Sequence, residues 1–386
     1  MNQARDVERL LTWACALTGE QAEGQGPLIL TGVHRLLATK LLHGVGQLVG
    51  LVGRRGVGKT RTLRFLEEFL SKNGKTAVAF KYEGGDILAQ ILSLDFAQDF
   101  YDEVLQGEID ERIPQSKLRK LLGRNFEEEP EREILKNLDR LEKLLPPKIR
   151  ESCEETAVLR FLGDVHTLLI DMPDYPRRNL RQMARHIDEI QRLWFFLLNH
   201  DLKSNIVVTL QEETFKRSDH IFFGKMVFHR LEPFSPEQLV EYFEKLFPQH
   251  PFTPDALVFL AKLSLGVPRR FKRLINEVLA NYLMENEGSG KIGVELVARV
   301  VTPELLAGEL ALELESLFIS DRQRALAVRI LPILLQNPDG FSQRTLANML
   351  GVSEASLSRV LKVLRARFDV YFREAAALPA WQGGGQ

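Results

Sequence analysis

Residues 53–60 read Gly53-Arg54-Arg55-Gly56-Val57-Gly58-Lys59-Thr60, and this stretch decides the fold. It fits the phosphate-loop (P-loop) pattern G-x-x-x-x-G-K-[ST] throughout. A phosphate chain needs several backbone N–H groups converging on it at close approach, which glycines allow, and a helix N-terminus whose dipole favours negative charge. It also needs a lysine for the β and γ oxygens and a hydroxyl for Mg²⁺. Gly53, Gly56, Val57, Gly58, Lys59, Thr60 and Arg61 are therefore the candidate ATP-binding residues, with Thr60 on the metal. Residues 47–52 are an apolar run between glycines, which predicts a buried strand, and residues 59–70 carry Leu63, Phe65, Leu66 and Leu70 at helical spacing. Strand, glycine-rich turn and helix is the context the motif requires.

Working outward, buried-strand runs recur at residues 76–82, 166–170, 205–210 and 226–231, with a long helix predicted at 179–199. Strands alternating with helices predict a parallel sheet covered on both faces, the P-loop NTPase type of α/β fold. Residues 102–155 interrupt it with charged helices, 15 acidic residues against 11 basic, net -4, ending at the break Pro146-Pro147. This segment reads as a solvated helical face or a docking arm for a protein partner. Beyond Pro233 strand signals stop, and helices are expected at 235–247, 253–265 and 268–284, then a polar linker at 286–290 and one more helix at 294–319. The expected organisation is an N-terminal helical segment at 1–27, an ATPase domain at 28–232, a helical lid at 233–290, a linker helix and winged helix-turn-helix at 291–378, and a disordered tail at 379–386.

The second required element of such a site is an acidic residue at the end of a neighbouring strand, where it holds Mg²⁺ through water. His166-Thr167-Leu168-Leu169-Ile170-Asp171 supplies it. The next residue, where a glutamate would polarise the attacking water, is Met172. Asp174 is the candidate base from a displaced position, with Glu212 and Glu213 as alternatives; the other outcome is slow hydrolysis.

This layout resembles the AAA+ ATPases, in particular the archaeal origin-recognition initiators and transposition-regulator ATPases with a C-terminal winged helix, over residues 28–372. The resemblance implies a γ-phosphate sensor at the tip of the 205–210 strand, Gln211 with Thr209 as the alternative. In Gly266-Val267-Pro268-Arg269-Arg270 it implies a lid arginine reaching the nucleotide, Arg269 first and Arg270 second. Independently, a cation near a helix N-terminus is disfavoured without an anionic partner, so one is expected close to these arginines. The resemblance further implies a homo-oligomer in which Arg217 acts on a neighbour's ATP. A RecA-like ATPase is the alternative that Thr31-Gly32-Val33-His34 suggests, and the helical lid argues against it.

Residues 341–362 look like a helix-turn-helix: Leu346, Ala347 and Leu350 pack the first helix, Gly351 makes the turn, and Val352, Leu357, Val360 and Leu361 face the core. Ser353 caps the second helix and leaves Ser356, Ser358, Arg359, Lys362 and Arg365 outward. Residues 353–367 hold four basic residues against one acidic, net +3, which suits entry into the major groove of duplex DNA. Arg322, Arg324 and Arg329 add charge upstream, and a wing would have to fit in 368–374.

The chain has 386 residues, with Lys plus Arg 51 and Asp plus Glu 52, so only local charge can serve a nucleic-acid partner. Cys15 and Cys153 have no metal-ligand spacing and read as reduced and structural. Neither a secretory leader nor a run of about 20 apolar residues is present, which predicts a cytoplasmic protein without membrane contact. The function expected is an ATP-binding and ATP-hydrolysing protein whose nucleotide state (ATP or ADP) controls duplex-DNA binding or oligomer assembly. The alternative is a nucleotide-gated signalling or scaffold switch of the defence type, recruiting a protein effector with little hydrolysis; a pure transcription regulator fits the dominant ATPase core poorly.

Overall fold

In the computed structural model, the structure describes Leu10 and residues 29–122, 129–174, 180–215, 221–286, 290–318, 320–337 and 340–376. The expected N-terminal segment therefore lies outside the described residues except for Leu10, as do the 379–386 tail and Arg217.

Helix α1 (Gly32–His43) precedes β1 (Leu48–Gly53), and α2 (Lys59–Lys72) leads to β2 (Ala77–Lys81). Thr31, read above as part of a RecA-like signature, caps α1, its hydroxyl 2.7 Å from His34 Nδ1. After α3 (Ile87–Leu92) the chain enters a helical excursion: α4 (Asp95–Arg112), α5 (Gln115–Leu122), α6 (Pro130–Lys136), α7 (Leu138–Glu142) and α8 (Pro147–Asp164). It then returns through β3 (Thr167–Asp171), α9 (Leu180–Asn199), β4 (Asn205–Gln211), the short α10 (Glu212–Phe215) and β5 (Val227–Leu231).

The strands form one sheet in the order β2-β3-β4-β1-β5, and every pairing is parallel. All six residues of β1 are buried because helices cover both faces. Alternation divides them: Val49 and Leu51 pack with Leu63, Leu66 and Leu70 of α2, while Leu48 and Val52 pack with Ile187, Ile190 and Leu193 of α9. Since β4 lies between β1 and β3, its C-terminal end stands between the P-loop and Asp171. The chain leaves β1 towards β2 on one side and arrives at β5 on the other, so the crevice at the strand ends is a topological switch point, where ligands of open α/β sheets bind.

The excursion is more structured than its charge suggests. It begins in α4, seven residues before the expected boundary, and closes with α8, whose first residue is the Pro147 read as a breaker. Proline at the first helical position costs no hydrogen bond, so it starts this helix instead of ending a segment. Tyr101, Leu105, Ile109, Leu118, Leu138, Leu141, Cys153 and Ala157 give the excursion its own core.

After the sheet come α11 (Pro236–Leu246), α12 (Pro254–Leu263) and α13 (Pro268–Asn286), then α14 (Val294–Val300) and α15 (Pro303–Leu317). The single helix expected at 294–319 is thus two, because Thr302-Pro303 interrupts the first and starts the second, the Thr302 hydroxyl accepting from the Leu305 amide. The last module is α16 (Asp321–Gln336), α17 (Gln343–Leu350) and α18 (Glu354–Ala376). No wing is present among its described residues: 368–374, where it was expected, continues α18, held in by buried Phe368 and Phe372. One apolar cluster runs from Phe234 in the lid to Phe372 in α18, and Leu10 joins it.

Candidate functional site

The P-loop crosses from β1 to α2 with two glycines in the left-handed region, Gly56 at φ +79° and Gly58 at +109°. Gly58 is also the N-cap of α2, which leaves the first amides of that helix facing the crevice. The Lys59 side chain is buried and its Nζ donates to the carbonyls of Gly53 (3.2 Å) and Arg54 (3.1 Å), folding back across the loop.

Under the loop the sequence candidates meet. Thr60 Oγ1 donates to Asp171 Oδ2 at 2.7 Å, and Thr209 Oγ1 donates to Asp171 Oδ1 at the same distance. Thr209 in turn accepts from the Met172 amide at 2.8 Å. The Asp171 carboxylate is therefore clamped from both sides, by the P-loop hydroxyl and by the strand that separates it from the loop. Hydroxyl and carboxylate oxygens are the hard ligands Mg²⁺ takes, and this ion usually keeps one or two protein contacts beside phosphates and water. The Thr60 hydroxyl and the Asp171 carboxylate, 2.7 Å apart, are donors of that kind.

The remaining candidates separate. Gln211 is buried at the tip of β4 beside Gly53, its register partner. Met172 is buried in the sheet core, so the position after Asp171 offers the crevice no acid or base. Asp174 is half-exposed and pairs with Lys59 (3.6 Å) and Arg55 (3.5 Å). Glu212 pairs with Arg54 at 3.5 Å. Arg61 lies in the first turn of α2, where its charge together with burial pulls the Lys272 ammonium of the lid down to about 8.

Arg269 is exposed, and its backbone end stands against the loop: a Cβ on Gly56 would lie 3.3 Å from Arg269 Cβ and 3.0 Å from Val267 Cγ1. Arg270 is turned away. Its guanidinium is buried and donates to Glu313 at 2.7 Å and to the Ser264 carbonyl at 3.2 Å, so the second lid candidate is not a nucleotide ligand in this arrangement. Gly266, at φ +70°, brings this turn against the segment that follows β5; a Cβ there would lie 2.1 Å from the Phe234 carbonyl oxygen.

Sequence reasoning missed His34. It is buried, bonds Thr62 Oγ1 of α2 at 3.0 Å, and burial holds its imidazole down to about 4. It fixes α1 against the helix that carries Lys59 and Thr60. Its only sequence signal was a histidine three residues after Thr31, a capping-box spacing.

At the far end of the chain Ser353, Ser356, Ser358, Arg359, Lys362 and Arg365 are all exposed on the first turns of α18. Ser353 caps the helix, its Oγ accepting from the Ser356 amide at 3.3 Å and lying 2.9 Å from the Ser356 hydroxyl. Gly351, at φ +65°, makes the turn between α17 and α18. Two of the upstream arginines have partners within their own module. Arg329 donates to the Leu350 carbonyl at 3.0 Å and so closes the C-terminus of α17, and Arg324 pairs with Asp321.

No family model and no curated protein matches the chain. Solved structures similar to it include the Aeropyrum pernix Orc1 protein in complex with DNA, 16% identical over 93% of this chain and 87% of that one, TM-score 0.44. The Thermotoga maritima RuvB Holliday junction branch migration motor is 15% identical over 90% and 88%, TM-score 0.40. AMPPCP-bound DnaA from Aquifex aeolicus is 13% identical over 92% and 95%, TM-score 0.37. No described helix is long and apolar enough to cross a membrane.

Proposed function

We propose that this chain is an AAA+-type ATPase that binds duplex DNA through α17 and α18, its nucleotide state controlling DNA binding or assembly into a homo-oligomer. The observation that carries the nucleotide half is the Thr60–Asp171–Thr209 clamp beneath a P-loop with two left-handed glycines. In this reading the P-loop amides and Lys59 hold the phosphates, with Lys59 exchanging its carbonyl partners for phosphate oxygens. Thr60 and Asp171 would hold Mg²⁺, which when bound neutralises developing phosphate charge. Gln211 and Arg269 face the γ-phosphate from the sheet and the lid, Asp174 orients the attacking water, and Arg217 of one copy reaches the ATP of the next. The duplex half rests on the exposed hydroxyl-and-cation surface of α18: Ser356 and Ser358 towards base edges, Arg359, Lys362 and Arg365 on phosphates.

A second reading is favoured by buried Met172: a nucleotide-gated switch that binds ATP and hydrolyses it slowly, with the excursion α4–α8 recruiting a protein effector. Fluorescence anisotropy of duplex DNA with ATP, ADP and no nucleotide tests the first reading, which requires different affinities in the three states. Steady-state phosphate release from the wild type and Lys59→Ala separates the two. Release that depends on Lys59 supports the ATPase; negligible release from both, with ATP binding intact in the wild type, supports the switch.

A further inference from the structure

Beside the P-loop a small cavity is lined by Arg55 and Gly56 of the loop, Arg269, Arg270 and Arg273 of α13, and Glu309 and Glu313 of α15. Two ion pairs cross it. Arg270 donates to Glu313 at 2.7 Å with both side chains more than nine-tenths buried, and Arg273 stands 3.3 Å from each carboxylate oxygen of Glu309. The spacing is that of one face on each helix, three residues on α13 and four on α15. Both pairs link helices whose apolar side chains belong to one buried cluster, Phe271, Leu274 and Val278 of α13 and Leu306, Leu310 and Leu314 of α15. A buried ion pair adds little net cohesion, because desolvation offsets its attraction, but it admits few geometries. Apolar contact alone would let α15 roll or slide on α13; two directed pairs fix its rotation and register.

What α15 touches gives this register a consequence. At one end of the arrangement Gly56 packs on Val267 and Arg269, the residues that start α13. Helix α15 also packs against α10, which follows Gln211 directly, and against α16, whose Arg329 closes α17. A change of loop or sheet position on nucleotide binding thus reaches α15 by two routes.

We propose that α15 is the transmission element of this protein, and that the Arg270–Glu313 and Arg273–Glu309 pairs tie it to the lid so that the helix-turn-helix follows the nucleotide site as one body. The inference rests on the nucleotide reading above. Arg270 and Arg273 act here as positioning residues, not as phosphate ligands.

The test is hydrogen exchange on the full-length protein with Mg²⁺ and a non-hydrolysable ATP analogue, ADP or no nucleotide, read at peptides of α15, whose Glu309 and Glu313 share the cavity with Gly56, and of α17, none of whose residues lines it. A fluorescent ATP analogue reports binding separately. In the wild type, nucleotide is expected to change exchange in α15 and α17 by about fivefold, the low end of ordinary allosteric couplings. In the double variant Arg270→Met with Glu313→Leu, which keeps volume and removes both charges of the pair, nucleotide affinity stays within about twofold while the change at α17 disappears. The exchanged pair Arg270→Glu with Glu313→Arg restores it. Glu309→Gln, at the more exposed pair, reduces it and serves as the measure should the buried double variant fail to fold. Tight nucleotide binding with no change at α17 in the wild type, or full transmission in the Met/Leu and Gln variants, overturns the inference and leaves the nucleotide reading intact. Absence of Lys59-dependent binding overturns both.

Discussion

Thr209→Val is the most informative single change in the sheet. The two side chains are nearly isosteric, so no cavity forms, and valine is the better strand former. On packing alone the variant should be neutral. Thr209 is fully buried, however, and its hydroxyl makes two bonds, one to Asp171 at 2.7 Å and one from the Met172 amide at 2.8 Å. Losing the bond to a carboxylate costs about 1.5–3 kcal/mol, and leaving the Met172 amide without a partner costs about 1–3 kcal/mol. The two overlap through the shared oxygen, so we expect a loss of about 3 kcal/mol in urea unfolding. Thr209→Ser keeps the hydroxyl and deletes one buried methyl, for about 1 kcal/mol. Serine should therefore be the more stable variant although it is the poorer strand former. The valine variant should also bind ATP less tightly, because Asp171 loses the donor that aims it at Thr60. A valine protein within about 0.5 kcal/mol of the wild type, or a serine protein less stable than the valine one, would refute the clamp.

Four further outcomes follow from the same geometry. Gly56→Ala forces a side chain into φ +79° and against Val267 at 3.0 Å, so stability should fall by about 1–2 kcal/mol and ATP affinity with it, by unfolding and fluorescent-nucleotide titration. His34 has a folded value of about 4 against an ordinary 6.5. The unfolded chain binds the extra proton first, so stability is full above pH 6.5 and drains as pH falls towards 4, by up to about 3 kcal/mol; His34→Gln should flatten that part of the profile. Asp174→Asn removes a carboxylate that pairs with Lys59 and Arg55. ATP should bind more tightly while phosphate release falls about 10²-fold; unchanged release would remove Asp174 as the base. Arg359→Ala should weaken duplex binding alike across sequences and lower its salt slope by about one, where a sequence-dependent loss would make Arg359 a base reader instead.

The elements legible in the sequence were those in which local pattern and tertiary role agree. Each strand was visible as a short apolar run because a parallel sheet buries both faces, and the P-loop was visible because phosphate chemistry admits few substitutes for its glycines, lysine and threonine. The clamp on Asp171 was half legible. A carboxylate at a strand end marks itself, but the role of Thr209 depends on β4 lying between β1 and β3, a sheet order that periodicity does not carry. A wing had only residues 368–374 to occupy, too short a span for periodicity to separate strand from helix; Phe368 and Phe372, one helical turn apart, decide it in the folded chain. The bond from His34 to α2 was not legible, since its partner Thr62 lies 28 residues away on another helix.

The lid arginines show how a sound electrostatic argument can leave its answer open. Cations in the first turns of α13 face a helix N-terminus and require an anion, which made nucleotide phosphate the obvious partner for Arg269 or Arg270. The requirement holds, but α15 meets it for two of the three arginines: Glu313 takes Arg270, and Glu309 takes Arg273. The sequence could not name these carboxylates, because they lie some forty residues downstream and belong to a helix whose packing against the lid only the fold reveals. Arg269, exposed beside Gly56, lines the same cavity as these two pairs. In the proposed reading Arg269 serves the nucleotide while Arg270 and Arg273 are held by the carboxylates of α15, and the single cavity that all three share with Gly56 is what would bring the nucleotide site and α17–α18 within reach of each other.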